Sequence, residues 1–175
     1  MAAFSWCRRA VPFNGEVMSV IGVAPGVRLW RERFSKAEQK TLLDEVLARI
    51  EEAPFYRPVM PGSGKAFSVE ESNFGPLGWV SDTSGYRYQA THPVTARAWP
   101  DIPGMLMELW RAIAEAPDPQ CCLVNLYRGD ARMGLHQDKD EKALGAPVVS
   151  VSLGDEALFR IGGKTRRGPT RSLPR

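Results

Sequence analysis

An α+β fold is predicted by three observations. Amphipathic helical patterns occur before residue 120, strand-like alternation takes over after it, and no regular alternation of strand and helix joins the two. The first helix is predicted from Ser35 to Glu52. Ser35 and Glu38 fit a capping box, in which each side chain satisfies a backbone N–H of the other residue. Leu42, Leu43, Val46, Leu47 and Ile50 then recur at helical spacing and give one apolar face, and Pro54 bars continuation. Residues 58–99 are punctuated by Gly, Pro, Ser and Asn around short segments such as "KAFSVE" and "GYRYQA", which alternate like hairpin arms. A second amphipathic helix, roughly Gly104 to Glu115, presents Met105, Leu109, Trp110 and Ile113 and stops at "APDP". Beyond it, "CCLVNLY" (121–127), "APVVSVSLG" (146–154) and "ALFRIGG" (157–163) read as strands. The second alternates Val149, Val151 and Leu153 with Ser150 and Ser152, and a tight "GDE" turn joins it to the third.

At 175 residues the chain suits one domain with a real core. Its 43% hydrophobic and 25% charged residues are ordinary for a soluble globular protein. No apolar run approaches the ~20 residues a membrane helix needs, so a membrane partner is not expected. The start, "MAAFSWCRRAVPFNGEVMSV", places Arg8 and Arg9 after its apolar residues with no apolar h-region behind them, which is a poor secretory signal. Residues 1–20 are expected to be a disordered lead-in and residues 21–175 to form the domain. Three cysteines argue against a disulfide framework; Cys121 and Cys122 point to opposite faces of a strand, and reduced cysteines imply a cytoplasmic protein. The net charge of +3 is local. The last twelve residues, "KTRRGPTRSLPR", hold five cationic side chains and no acid, so the rest of the chain is net acidic. Such a cluster either contacts phosphates or forms a solvated basic tail.

The chemistry concentrates in "MGLHQDKDE" (133–141). On a strand, His136 and Asp138 share a face and offer an imidazole and a carboxylate to a divalent first-row metal. Alone, the pair is a weak metal signal, and a polar turn between two strands is the commoner reading of it. A mononuclear 2-His-1-carboxylate iron centre needs a second histidine. The chain has only one other, His92, in the loop-like "QATHPVTARAW". Asn125 and Tyr127 form another i, i+2 pair on one strand face, which by themselves suit a core tyrosine and an asparagine satisfying backbone. Trp79, Tyr86, Arg87 and Tyr88 in "LGWVSDTSGYRY" suit ordinary core packing taken singly.

Together, "LGWVSDTSGYRY", "NLYRGDARMGLHQDKDE" and "APVVSVSLGDEALFRIGG" closely resemble the AlkB family of iron(II)- and 2-oxoglutarate-dependent dioxygenases. The resemblance covers roughly residues 27–173 and is strongest from Leu123 to Gly163. It implies a double-stranded β-helix (jelly-roll-like) core with N-terminal helices, and oxidative demethylation of N-alkylated bases with release of formaldehyde and succinate. By the resemblance, His136 and Asp138 are iron ligands, and Asn125 and Tyr127 bind the 2-oxoglutarate cosubstrate. Trp79 and Tyr86 line the damaged-base pocket with Arg87 and Tyr88 beside them. Asp140 reads the polar edge of the base, and Arg166 is a basic residue near the substrate. The implied partner is alkylated DNA, preferably single-stranded, or RNA, bound by a monomer. A damaged base that pairs badly costs less to extrude toward the metal.

The sequence departs from the family pattern at one end. The family's third iron ligand and its "RxNxTFR" arginines, which clamp 2-oxoglutarate, come after the point where this sequence reads "RSLPR". The resemblance therefore implies a chain cut short at the C-terminus, with C-terminal strands missing and turnover impaired. The alternative is a non-catalytic nucleic-acid-binding remnant that keeps the aromatics and the basic tail. A third reading has a partner chain completing the site.

Overall fold

The structure, a computed structural model, describes residues 20–136, 146–163, 165 and 168–173. Among them it has two helices and eight strands, every strand in a two-stranded antiparallel pair, in keeping with the expected α+β class. One compact unit draws on the chain up to Gln39, on Arg111–Ala116 and on the chain from Gly134 onward. The other comprises Lys40–Trp110 and Pro117–Met133.

The first unit begins with a hairpin of β1 (Val20–Ala24) and β2 (Val27–Trp30). Its two-residue loop is Pro25–Gly26, and Gly26 takes φ 75°, the positive value a type II turn requires at that position. A second hairpin pairs β7 (Arg160–Gly162) with β8 (Thr170–Ser172). Within the basic end of the chain, Thr170–Ser172 is a strand, and the Arg171 guanidinium donates to the Val23 carbonyl at 2.9 Å. The strand predicted over residues 146–154 is not formed. The inside–outside pattern is as expected, with Val149, Val151 and Leu153 half-buried and Ser150 and Ser152 exposed, but no described segment pairs with it. Alternation specifies a buried face, not a partner edge, and without a partner there is no ladder.

Helix α1 (Lys36–Glu52) starts as its sequence dictates. Glu38 accepts from the Ser35 backbone N–H at 2.7 Å, and the Glu38 N–H is 3.3 Å from the Ser35 hydroxyl, which closes the capping box. Further along, in the second unit, Leu42 is fully buried whereas Leu43 and Leu47 are 41% and 50% exposed. The predicted single apolar face therefore splits. Leu43 and Leu47 are stacked one turn apart, on a line rotated away from the stripe that Leu42 presents to the core.

The rest of the second unit is organised by β3 (Glu70–Phe74), which pairs with β6 (Cys122–Leu126). "KAFSVE" contributes only an isolated bridge, Val59 to Ala66, before β3 begins. Along β3 the Ser72 hydroxyl donates to the Ala53 carbonyl at the end of α1, and Phe74 fills the core. Of the two predicted arms, "GYRYQA" becomes β5 (Gly85–Gln89), and its hairpin partner is β4 (Gly78–Asp82) rather than "KAFSVE". The inward face of β4 sends Val80 into a cluster with Ala53 and Trp99, and Tyr56 packs against it. Gly78 is the close-approach point, because a Cβ there would lie 2.4 Å from the Trp99 indole. Helix α2 (Gly104–Ile113) runs as predicted and buries Leu109.

Two outcomes follow. Gly78→Ala should lower stability by about 1–3 kcal/mol, the usual cost of overpacking, because the Trp99 ring is also fixed by its N–H donating to the Gln89 carbonyl at 2.9 Å. Denaturant unfolding measures this, and an unchanged midpoint would refute it. The second concerns acid. Hydrogen bonds from Ser35 hold the Glu38 carboxyl below its ordinary value near 4.5. A carboxyl depressed in the folded state stabilises fully above that value and loses its contribution as pH falls below it. Protection of the first-turn amides of α1 from exchange should therefore fall below about pH 4.5, and in Ser35→Ala, which keeps only the backbone N–H on Glu38, this acid dependence should be smaller.

Candidate functional site

The β4–β5 hairpin displays its aromatics because of its register. Trp79 pairs with Tyr88 and Ser81 with Tyr86, so Trp79, Tyr86 and Tyr88 share the face opposite Val80. The Trp79 and Tyr86 rings stack with centroids 5.4 Å apart and planes 21° apart, and Tyr86 is 44% exposed. Phe67 tilts against Trp79 at 6.5 Å. Arg87 lies on the other face. It makes an ion pair with Asp82 at 2.7 Å and donates to the Gln89 amide oxygen, so its charge is largely spent within the hairpin.

The position of Trp79 is set by a side chain that sequence patterns do not reveal. Asn73, fully buried on β3, donates to the Trp79 carbonyl at 2.9 Å and accepts from the Trp79 N–H at 3.0 Å. It thereby acts as a one-residue strand partner. The Tyr56 hydroxyl reaches the same carbonyl at 3.4 Å. Tyr56 is half-buried, and burial, followed by the charge of Glu71, pushes its phenol far above its ordinary value.

Asn125 lies on β6 and Tyr127 directly follows its end. Asn125 is half-buried, and Tyr127 is 44% exposed. Burial and the charge of Glu71 raise the Tyr127 phenol, so it remains a protonated hydrogen-bond donor at neutral pH. An amide N–H and a phenol O–H suit carboxylate oxygens. Across the ladder from Asn125 stands Glu71, with no exposed surface. Sequence reading missed Glu71, Asn73 and Tyr56. The only signal was the polar run Glu70–Glu71–Ser72–Asn73 between Val69 and Phe74, which reads as surface rather than as the interior of a strand.

His136 belongs to the other unit. It is exposed and lies outside any strand, contrary to the expectation that it shares a strand face with Asp138. The Gly-rich approach "RGDARMGLH" turns at Gly129 (φ 58°) instead of extending. Nδ1 of His136 is 2.7 Å from the Gly134 carbonyl. A carbonyl only accepts, so Nδ1 carries the proton and the basic lone pair is on Nε2, the tautomer that a metal-ligating histidine takes when its other nitrogen is held by backbone. Asp138, Asp140 and Arg166 lie outside the described residues. His92 is not an alternative ligand. It is 2% exposed, its Nε2 donates to the Pro54 carbonyl at 2.7 Å, and its Nδ1 accepts from Val94 and Thr95 N–H at 3.0 and 3.1 Å. Tyr56 and Trp99 pack on the ring at 5.3 and 5.0 Å. Among the described residues no three His, Cys, Asp or Glu side chains cluster as a metal site would require.

Comparison with known proteins places these residues in a family. Residues 26–174 match the 2OG-Fe(II) oxygenase superfamily. The chain is 48% identical over 171 residues to an alpha-ketoglutarate-dependent dioxygenase AlkB homolog of Caulobacter vibrioides, covering 95% of this chain and 76% of that protein. This chain belongs to the AlkB family. It is also 41% identical over 155 residues to the alpha-ketoglutarate-dependent dioxygenase AlkB of Escherichia coli, covering 86% of this chain and 70% of that one. A more distant relative is the DNA N(6)-methyladenine demethylase ALKBH1C of Arabidopsis thaliana, 29% identical over 165 residues, covering 80% of this chain and 35% of that protein. The cofactors of this AlkB-family chain are accordingly Fe(II) and 2-oxoglutarate. Among the described residues no helix is long and apolar enough to cross a membrane.

The two histidines of the AlkB-family chain should separate cleanly by mutation. His136→Ala should weaken Co(II) or Mn(II) binding by at least about 10-fold with an unchanged melting midpoint. His92→Ala should leave metal affinity intact while costing about 1–3 kcal/mol of stability, because it strands buried backbone groups. Metal titration and thermal melts of both variants check this, and a loss of metal in His92→Ala would reverse the assignment.

Proposed function

We propose that this chain is built to demethylate N-alkylated bases in DNA, preferably single-stranded, or in RNA. The observation that carries this reading is the match to AlkB dioxygenases over nearly the whole chain. In this reading residues 21–175 form a double-stranded β-helix domain behind a lead-in of residues 1–20, acting as a monomer in the cytoplasm. His136 and Asp138 hold Fe(II). Asn125 and Tyr127 donate to 2-oxoglutarate. Iron(II) with 2-oxoglutarate and O2 supplies the oxidising equivalent that hydroxylates the N-methyl carbon, after which formaldehyde leaves and the base is restored.

The protein's own part is recognition and placement. An extruded base stacks on the aromatic face of Trp79 and Tyr86, where the π-surface accepts different ring identities, with Tyr88 beside them. Arg87 rigidifies the hairpin through Asp82 and so supports that face. Asp140 reads the polar edge of the base, and Arg166 is a basic residue near the substrate. Asn73 keeps Trp79 in place, a contribution to the orientation of the stacked base.

A 2-His-1-carboxylate centre takes three protein ligands, and with His92 engaged in the core these 175 residues offer His136 and Asp138. Turnover by this chain alone is therefore expected to be strongly reduced, while base binding persists. The test is to supply Fe(II), 2-oxoglutarate and a 3-methylcytosine oligonucleotide, then measure formaldehyde alongside binding. Formaldehyde abolished by His136→Ala supports the dioxygenase reading. Salt-sensitive binding with no formaldehyde supports the non-catalytic alternative. In either case Trp79→Ala should weaken oligonucleotide binding by about 1–3 kcal/mol, the usual loss on removing one stacking ring.

A further inference from the structure

On the β4–β5 hairpin the phenol ring of Tyr86 already lies over the indole to which the reading above brings a base. The register explains why. Tyr86 stands directly across the ladder from Ser81, a short side chain whose hydroxyl donates to the Val59 carbonyl at 2.6 Å. With no bulky partner opposite, the ring leans diagonally onto Trp79, two residues before Ser81 on the same face. The two planes lie 21° apart with centroids separated by 5.4 Å, which is an aromatic stack rather than an edge contact.

The two rings are held very differently. Trp79 is fixed, because Asn73 holds both its main-chain N–H and its carbonyl while Phe67 tilts against its ring. Tyr86 is 44% exposed, and the directed contact of its side chain among the described residues is the stack itself. A base and a phenol cannot share one face of the indole. Of the two partnerships, a base stacked on a protein ring is worth more than an ordinary pair of aromatic side chains. Exchange of one for the other is therefore downhill. It needs only a side-chain rotation, since the main chain of Tyr86 stays in its ladder with Ser81 and the Asp82–Arg87 ion pair steadies the hairpin.

We propose that Tyr86 is a placeholder that closes the base site of the free protein: a base enters by displacing the Tyr86 ring from Trp79 and stacking on the indole in its stead. The indole is thus kept covered until a base arrives, and the strength of the covering contact is subtracted from the affinity for every base. The inference rests on the reading of Trp79 and Tyr86 as the base-stacking face. It goes beyond that reading by dividing the work of the two rings, since Trp79 receives the base and Tyr86 has to leave.

The experiment measures binding of a 3-methylcytosine oligonucleotide to the full chain and to variants at position 86, at one fixed salt concentration. Tyr86→Ala should bind about 2- to 10-fold more tightly than wild type, the fold-change that corresponds to losing one aromatic pair. Tyr86→Trp, whose larger ring covers more of the indole, should bind more weakly than wild type. A Tyr86 ring that forms part of the bound stacking surface gives the reverse order, and that order, or equal affinities, overturns the proposal. A second measurement needs no substitution. In wild type, nuclear Overhauser contacts between the Tyr86 and Trp79 ring protons should be present in the free chain and replaced, in the complex, by contacts from the base to the indole. Their persistence in the complex overturns the proposal even if the variants fail to fold. Trp79→Ala separates the two claims: binding as tight as wild type in that variant, or no binding to any form, removes the base-site reading itself and the inference with it.

Discussion

The second unit depends on one buried strand that is polar almost throughout. From Glu71 to Asn73 every side chain of β3 is polar and buried. Burying a hydroxyl or an amide is tolerable only when it is hydrogen-bonded, and β3 turns that requirement into architecture. Ser72 binds the end of α1 through the Ala53 carbonyl, and Asn73 holds both main-chain groups of Trp79. The backbone of Glu71 takes Tyr56 on one side, and β6 pairs on the other. One five-residue segment therefore fixes the helix end, the aromatic hairpin and the strand that carries Asn125. Apolar residues would pack there, but they would not specify which neighbour sits where.

A second anchor works by the same logic. The ring of His92 ties the 92–95 turn to the Pro54 carbonyl and is enclosed by Tyr56 and Trp99. In an AlkB-family chain a histidine invites assignment to the metal. Here the geometry assigns it to the core, because both ring nitrogens already serve backbone groups. The other imidazole, His136, is exposed, and its tautomer is set by the Gly134 carbonyl.

Much of this was legible in the sequence wherever the determinant is local. The Ser35–Glu38 cap, both helices, the Gly85–Gln89 arm and the Cys122–Leu126 strand follow from spacing within a few residues. The motif residues Trp79, Tyr86, Asn125, Tyr127 and His136 were legible as types in a familiar order. Strand register was not, since the pairing of Glu71 with Asn125 joins distant parts of the chain and leaves no periodic trace. Polar burial was equally hidden, because "EESN" has the composition of a surface. The Val149–Leu153 alternation shows the complementary failure: the burial pattern was right, yet a ladder needs a second strand that no local pattern names.

The contact between Arg171 and the Val23 carbonyl ties residues 148 positions apart. During synthesis the β1–β2 hairpin leaves the ribosome well before the side chain that reaches it. The second unit, whose residues end at Met133, is complete before then. Domains form in the order their residues emerge, so the polar strand and its aromatic hairpin can settle while the first unit still awaits its final partner. The order of assembly is thus written into how far apart in the chain the partners of the first unit lie.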